Sequence, residues 1–278
     1  MIGKDISNEL IYSTIRLVCM NEKTSSVGTA FFMTHYYNET NVTALITNKH
    51  VVMDEENGNE IYDNAYFYLS REHNENSYKI EVNDLKSRLV FHEDNNVDLC
   101  FIFVNDIINE IQNNGIDFEY RTLNTDLIIN DEEIKILNPI ESIIMIGYPI
   151  GLIDLVNNKP LIRQGITATS FIYDYNGKKE FVIDCACFPG SSGSPVFLKY
   201  VGLGKEDNSA GLKIGFTVKY KLIGVLYAGP RYSVNGEIID SNIPCNDKSY
   251  AVTKSMVNLG YVIKPLRIME LFKQIIDK

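Results

Sequence analysis

No apolar run in this chain approaches the roughly 20 residues that a membrane-spanning helix needs. The opening stretch MIGKDISNELIYSTIRLVC lacks a basic segment followed by a long apolar one, so no secretory signal is read there. Both absences point to a cytoplasmic protein. Positive charge is also in deficit: 26 Lys and Arg stand against 36 Asp and Glu, a formal net charge of -10. This argues against nucleic acid or an anionic membrane as the main partner, because both require a basic surface. Cysteine is sparse and odd in number: Cys19, Cys100, Cys185, Cys187 and Cys245. Such a set is a poor disulfide framework for a secreted protein. Cys185 and Cys187 have no second pair at zinc-finger spacing, so no metal site is expected. The sequons at Asn38 and Asn41 carry no weight in a chain outside a secretory pathway. No tandem repeat or low-complexity tract is visible.

What is present is a globular composition. With 278 residues, 45% apolar and 22% charged, the chain can bury one large core or two smaller ones. Short stretches rich in β-branched and aromatic residues recur between turn residues. They include STIRLVC, GTAFFM, VTALITN, AYFYLS, YKIEV, VDLCFIFV, SIIMIGYP, EFVIDCAC, SPVFL, KLIGVLYAG and GYVI. Clear helical periodicity appears only after Pro265, where Leu266, Ile268, Met269, Leu271, Phe272, Ile275 and Ile276 form an apolar stripe. A shorter helix is expected over Asn105 to Gly115. Many strands with one terminal helix predict a mostly β protein, sandwich or barrel. The polar stretch from Gly115 to Glu133 is the candidate link between two halves, and Gly202 to Gly215 reads as a long hairpin loop.

Three short motifs carry chemistry. TALITNKHVV runs a strand into a turn that presents His50, although a lone histidine there is usually structural. His35, His73 and His92 lie in polar surroundings without a supporting motif. NNVDLCFIFV places Asp98 just before an apolar strand, where it either caps a turn or is held rigidly beneath the surface. CFPGSSGSPVF packs glycines and serines around a turn. A serine hydroxyl is a weak nucleophile that needs a base, an orienting carboxylate and donors for the oxyanion. A Gly-x-Ser turn can supply those donors from the Gly190 and Ser192 amides, and this selects Ser192 over Ser191 and Ser194. The strand that follows, in place of a helix, disfavours an α/β-hydrolase elbow.

In the order His50, Asp98, Ser192, the sequence resembles the chymotrypsin-like serine peptidase superfamily, in particular its compact trypsin-like branch found in bacteria. GTAFF resembles G-[ST]-G-F, with Ala30 in place of the second glycine. TNKHVV resembles T-A-x-H-V, with Asn48 in place of alanine. VDLCFI, GYPIGL, PGSSGSP and LIGVLYAG resemble the remaining family segments in the same order. The likeness runs from about Ser13 to Met269.

The resemblance implies two antiparallel six-stranded β-barrels with a C-terminal helix. Residues 1–120 would form the barrel carrying His50 and Asp98, and residues 121–278 the barrel carrying Ser192. It implies a serine endopeptidase without metal or cofactor, acting on a protein or peptide substrate. His50 would be the general base, Asp98 its orienting group and Ser192 the nucleophile, with Gly190 and Ser192 forming the oxyanion hole. Digestive members are switched on by cleavage, through an aspartate just before the catalytic serine. Here that position is Ser191, so activity is expected to be either constitutive or controlled by a regulatory protein partner or a loop rearrangement, with regulation the favoured expectation. Ala186 would sit at the base of the specificity pocket, with Tyr227, Gly229 and Gly260 along its walls, which favours apolar side chains. A two-residue slip would place Asp184 at the base and favour Lys or Arg. A silent peptidase fold used as a binding module, and a serine esterase, are the competing readings.

Overall fold

The computed structural model describes residues 6–38, 40–54, 57–71, 74–208, 211–238 and 249–277. His73 and Cys245 lie outside the described residues. After a short helix, Ile6–Ser13, the chain builds an eight-stranded sheet. Its path is Asn74–Val82, Asn64–Arg71, Thr14–Met20, Ser25–Tyr37, Thr40–Thr47, Cys100–Ile102 and Leu89–Phe91, with Leu123–Asn124 lying parallel to Met33 and Thr34. The strands alternate as their sequences require, sending Leu17, Phe32, Leu45 and Ile102 into one core.

The second sheet closes on itself as a six-stranded barrel. Its order is Ser142–Gly147, Leu161–Thr167, Glu180–Asp184, Leu259–Ile263, Gly211–Ala228 and Pro195–Asn208. Met145, Phe181, Ile183, Val196 and Val262 fill its interior.

Of the two expected barrels, only this second one is closed. In the first sheet the end strands Asn74–Val82 and Leu89–Phe91 do not pair with each other among the described residues. The helix Asn105–Asn113 stands between them. Its Ile108 is buried in the same core as Ile80 and Val82, while Asp106 takes a 2.8 Å ion pair from Arg88, at the foot of Leu89–Phe91. The helix thus covers the edges that strand pairing would otherwise satisfy.

The C-terminal helix, Leu266–Ile276, follows Pro265 as its apolar stripe predicts. Ile268, Leu271 and Phe272 are fully buried in a third core that also takes Phe31 and Phe101 from the first sheet and Ile144, Phe197 and Ile263 from the barrel. His92 joins this seam. It is buried, contrary to the polar setting expected for it, and its Nε2 meets Glu270 at 2.9 Å.

Of the segment expected as a loop at 202–215, residues 202–208 and 211–215 are strand. Pro195–Asn208 and Gly211–Ala228 stay paired out to Asn208 and Gly211, so the backbone there extends the hairpin beyond the barrel. Arg231–Ile238 pairs antiparallel with Ser249–Met256, a strand pair that the turn and apolar pattern of the sequence does not predict.

Candidate active site

The strand Thr40–Thr47 ends in Asn48, and a four-residue helix, Lys49–Val52, carries His50. Val51 and Val52 are buried and fix this turn of helix on the sheet. Asp98 precedes the strand Cys100–Ile102, which pairs with Thr40–Thr47 and so brings the two residues together. Asp98 Oδ2 lies 2.6 Å from His50 Nδ1, and Asp98 Oδ1 accepts from the His50 main-chain amide at 3.2 Å. One carboxylate therefore fixes both the ring and the backbone of His50. Behind it, Lys49 Nζ donates to the carbonyls of His92 and Asp94 at 2.9 and 3.1 Å, tying down the loop that leads to Asp98. Burial holds the Lys49 ammonium below its ordinary range, against the pull of Asp98.

Ser192 comes from the barrel, on the turn between Glu180–Asp184 and Pro195–Asn208. Gly190 and Gly193 both have φ of +86°. A Cβ on Gly193 would fall on the Thr29 carbonyl oxygen, so the chain passes the first sheet only because this residue is glycine. Thr29 clamps the turn from the other side. Its amide donates to the Ser192 carbonyl at 2.8 Å and its hydroxyl to the Gly190 carbonyl at 2.9 Å. With these carbonyls engaged, the Gly190 and Ser192 amides have no acceptor among the described residues.

His50, Asp98 and Ser192 line one cleft of about 400 Å³. Ser192 Oγ donates a long hydrogen bond, 3.4 Å, to the Tyr227 carbonyl. Tyr227 and Gly229 line the same cleft, together with Cys187, Phe188 and Leu226, which were not singled out. The Tyr227 hydroxyl donates to Glu180 at 2.9 Å. Burial, reinforced by the Glu180 carboxylate, raises its phenol well above the ordinary value.

Two residues expected in the pocket, Ala186 and Gly260, do not line this cleft. Ala186 is absent from the cleft lining, and its carbonyl accepts from Arg163 at 2.6 Å. Gly260 is buried, and a Cβ there would meet Cys187 Sγ and Leu226 Cδ1 at 2.5 Å. Its lack of a side chain makes room for Cys187 and does not open a pocket wall. Asp184 is exposed and also absent from the cleft lining. Burial pushes the Cys187 thiol up to about 12. Among the described residues no cluster of three or more His, Cys, Asp or Glu side chains is arranged to hold a metal ion, and no helix is long and apolar enough to cross a membrane.

A family model described as a trypsin-like peptidase domain matches residues 28–202. A comparison with curated proteins finds no match. Among solved structures, the chain is similar to a thermostable serine protease, AL20, from an extremophilic microorganism. The identity is 14% over 95% of this chain and 96% of that one, with a TM-score of 0.48. It is also similar to a serine endoprotease from Yersinia pestis, at 14% identity over 98% of this chain, with a TM-score of 0.48; the match spans 65% of that protein. The MamO protease domain from Magnetospirillum magneticum matches at 9% identity over 95% of this chain and 97% of that one, with a TM-score of 0.44.

Proposed function

The chain belongs to the trypsin-like peptidase family, and from that premise we propose that it is a serine endopeptidase working through His50, Asp98 and Ser192. The observation that carries the reading is the shared cleft, in which Asp98 binds His50 at 2.6 Å and Ser192 stands on a turn with two unpaired amides.

The chemistry follows from the geometry. With Nδ1 engaged by Asp98, His50 Nε2 is the nitrogen that takes the Ser192 proton as Oγ attacks the peptide carbonyl. The long bond from Ser192 Oγ to the Tyr227 carbonyl is weak enough to yield to this contact when substrate binds. The carbonyl oxygen becomes an oxyanion held by the Gly190 and Ser192 amides, a pair worth about 100- to 1000-fold in rate for each donor. His50 then protonates the leaving amine. An acyl-enzyme on Ser192 remains, and water attacks it by the same route in reverse. Leu226, Cys187 and Phe188 give the cleft an apolar wall that suits an apolar side chain before the scissile bond. Control falls to a protein partner, because Ser191 occupies the place where a cleavage-activated member carries an aspartate.

The test is a fluorophosphonate probe combined with peptide hydrolysis. The adduct is expected on Ser192, and Ser192→Ala is expected to abolish both labelling and hydrolysis. A wild-type protein that neither labels nor cleaves would support a silent binding module; labelling with ester cleavage alone would support an esterase.

A further inference from the structure

The strand Leu161–Thr167 presents a cation to the barrel interior. Arg163 is mostly buried, and among the described residues no carboxylate pairs with it. Its Nη1 donates twice, to the Ala186 carbonyl at 2.6 Å and to Ser191 Oγ at 2.8 Å. Nε and Nη2 are buried and meet no acceptor among the described residues. A desolvated guanidinium without a counter-ion is costly, and burial accordingly lowers its pKa. The two acceptors it does bind mark the two ends of one segment. Ala186 stands where the chain leaves Glu180–Asp184, and Ser191, fully buried, stands next to Ser192. Within that segment the Ser191 amide donates to the Phe188 carbonyl at 3.0 Å, and the Ser194 amide to the Ser191 carbonyl at 3.0 Å. The turn is thus clipped internally, clamped from above by Thr29 and fastened from below at both ends by one side chain.

We propose that Arg163 is the positioning residue of the Ser192 turn: its guanidinium spans Ala186 and Ser191 and holds the 186–192 segment in the shape that turns the Gly190 and Ser192 amides toward the cleft. This rests on the peptidase reading.

The test compares Arg163→Met, Arg163→Lys and Ser191→Ala with wild type. Hydrogen–deuterium exchange over residues 185–194 reads the turn directly, independent of activity. Faster exchange confined to that segment is expected in Arg163→Met. Peptide hydrolysis should show kcat falling by about 100-fold, the loss of one oxyanion donor, with KM within about threefold. Arg163→Lys should retain part of the rate, and millimolar methylguanidinium should restore part of it to Arg163→Met. Unchanged exchange in Arg163→Met overturns the proposal. So does a loss confined to KM for one class of substrate side chain, which would place Arg163 in the specificity pocket. If Arg163→Met fails to fold, Ser191→Ala decides: normal exchange and normal kcat there overturn the proposal. An inactive wild type sinks the peptidase reading alone, because exchange still reports on Arg163.

Discussion

The side-chain amide of Asn48 donates to the main-chain carbonyl of Asp98 at 2.7 Å. Asn48 is two residues before His50, so the segment that carries the imidazole is tied to the backbone of the residue that orients it. Family members with alanine at this position have no such tie. The fit is imperfect, because Asn48 Oδ1 is buried without a partner among the described residues. Asn48→Ala is expected to lower stability by about 1–2 kcal/mol, since it leaves the Asp98 carbonyl unpaired. A drop in kcat of about tenfold should accompany it as the His50–Asp98 pair loosens. Denaturant melts and steady-state kinetics check both. A variant as stable and as fast as wild type would reduce Asn48 to a space filler.

Asp98→Asn separates orientation from folding. The amide oxygen can still accept from the His50 main chain, so the protein should fold with a melting temperature near wild type. The amide nitrogen, however, cannot accept the imidazole Nδ1–H, and the wrong tautomer faces Ser192. By the behaviour of other triads kcat should fall about 10,000-fold. Near-normal turnover on a good substrate would show that Asp98 only caps its turn.

The described cysteines Cys19, Cys100, Cys185 and Cys187 are all free and buried. Activity should therefore survive dithiothreitol unchanged. Burial raises the thiols of all four, that of Cys187 to about 12 from the ordinary 9.0. A raised thiol pKa contributes stability below pH 9, where both states are protonated. That contribution is lost as pH rises toward 12, where only the unfolded chain ionises. Unfolding free energy should fall across pH 9–12, and Cys187→Ala should flatten that slope. Iodoacetamide at neutral pH should label Cys187 slowly although it lines the cleft, because the thiolate is the reactive form. Rapid labelling at pH 7.5, followed by peptide mapping to Cys187, would contradict the assigned burial.

The sequence was most legible where local pattern and packing agree. VTALIT, SIIMIG and EFVID alternate or run apolar, and each is a strand; the stripe after Pro265 is a helix with Ile268, Leu271 and Phe272 buried. His50 and Asp98 were legible because two neighbouring strands deliver them, and each has its own motif. Leu161–Thr167 was not, because its pattern is inverted. Ile162 and Ile166 face outward, 51% and 42% exposed, while Arg163 faces in. A rule that seeks apolar residues inside passes over such a strand, and Arg163 with it. Among the described residues the end strands of the first sheet do not pair, and the helix that stands between these distant edges is a relation no local window contains. Ala186 and Gly260 are expected in the pocket from the family resemblance alone. The cleft is lined by whichever side chains the turn at 185–189 sends inward, and Cys187, Phe188 and Pro189 are the ones that arrive.

On the proposed peptidase reading, that turn also sets the expected substrate preference. A site selective for Lys or Arg needs a carboxylate buried at its base, since a cation left unpaired there would cost far more than its contacts return. Asp184 ends its strand exposed to solvent and stands outside the cleft lining, and Glu180, buried behind Tyr227 and engaged by its hydroxyl, does not line the cleft either. Asp98 lines the cleft but is committed to His50 through both carboxylate oxygens. The wall offered to a side chain is Cys187 and Leu226, with Gly229 leaving the rim open. A peptide library should therefore show cleavage after Leu, Met, Phe or Tyr, and Asp184→Ala should leave that preference as it is. Cys187→Phe should narrow the cleft and lower kcat/KM for Phe by about 10- to 200-fold while sparing smaller residues, the range that one ill-fitting group in an apolar pocket produces. Dominant cleavage after Lys or Arg that disappears in Asp184→Ala would reverse the assignment and mean that the strand end at Asp184 turns inward when substrate binds.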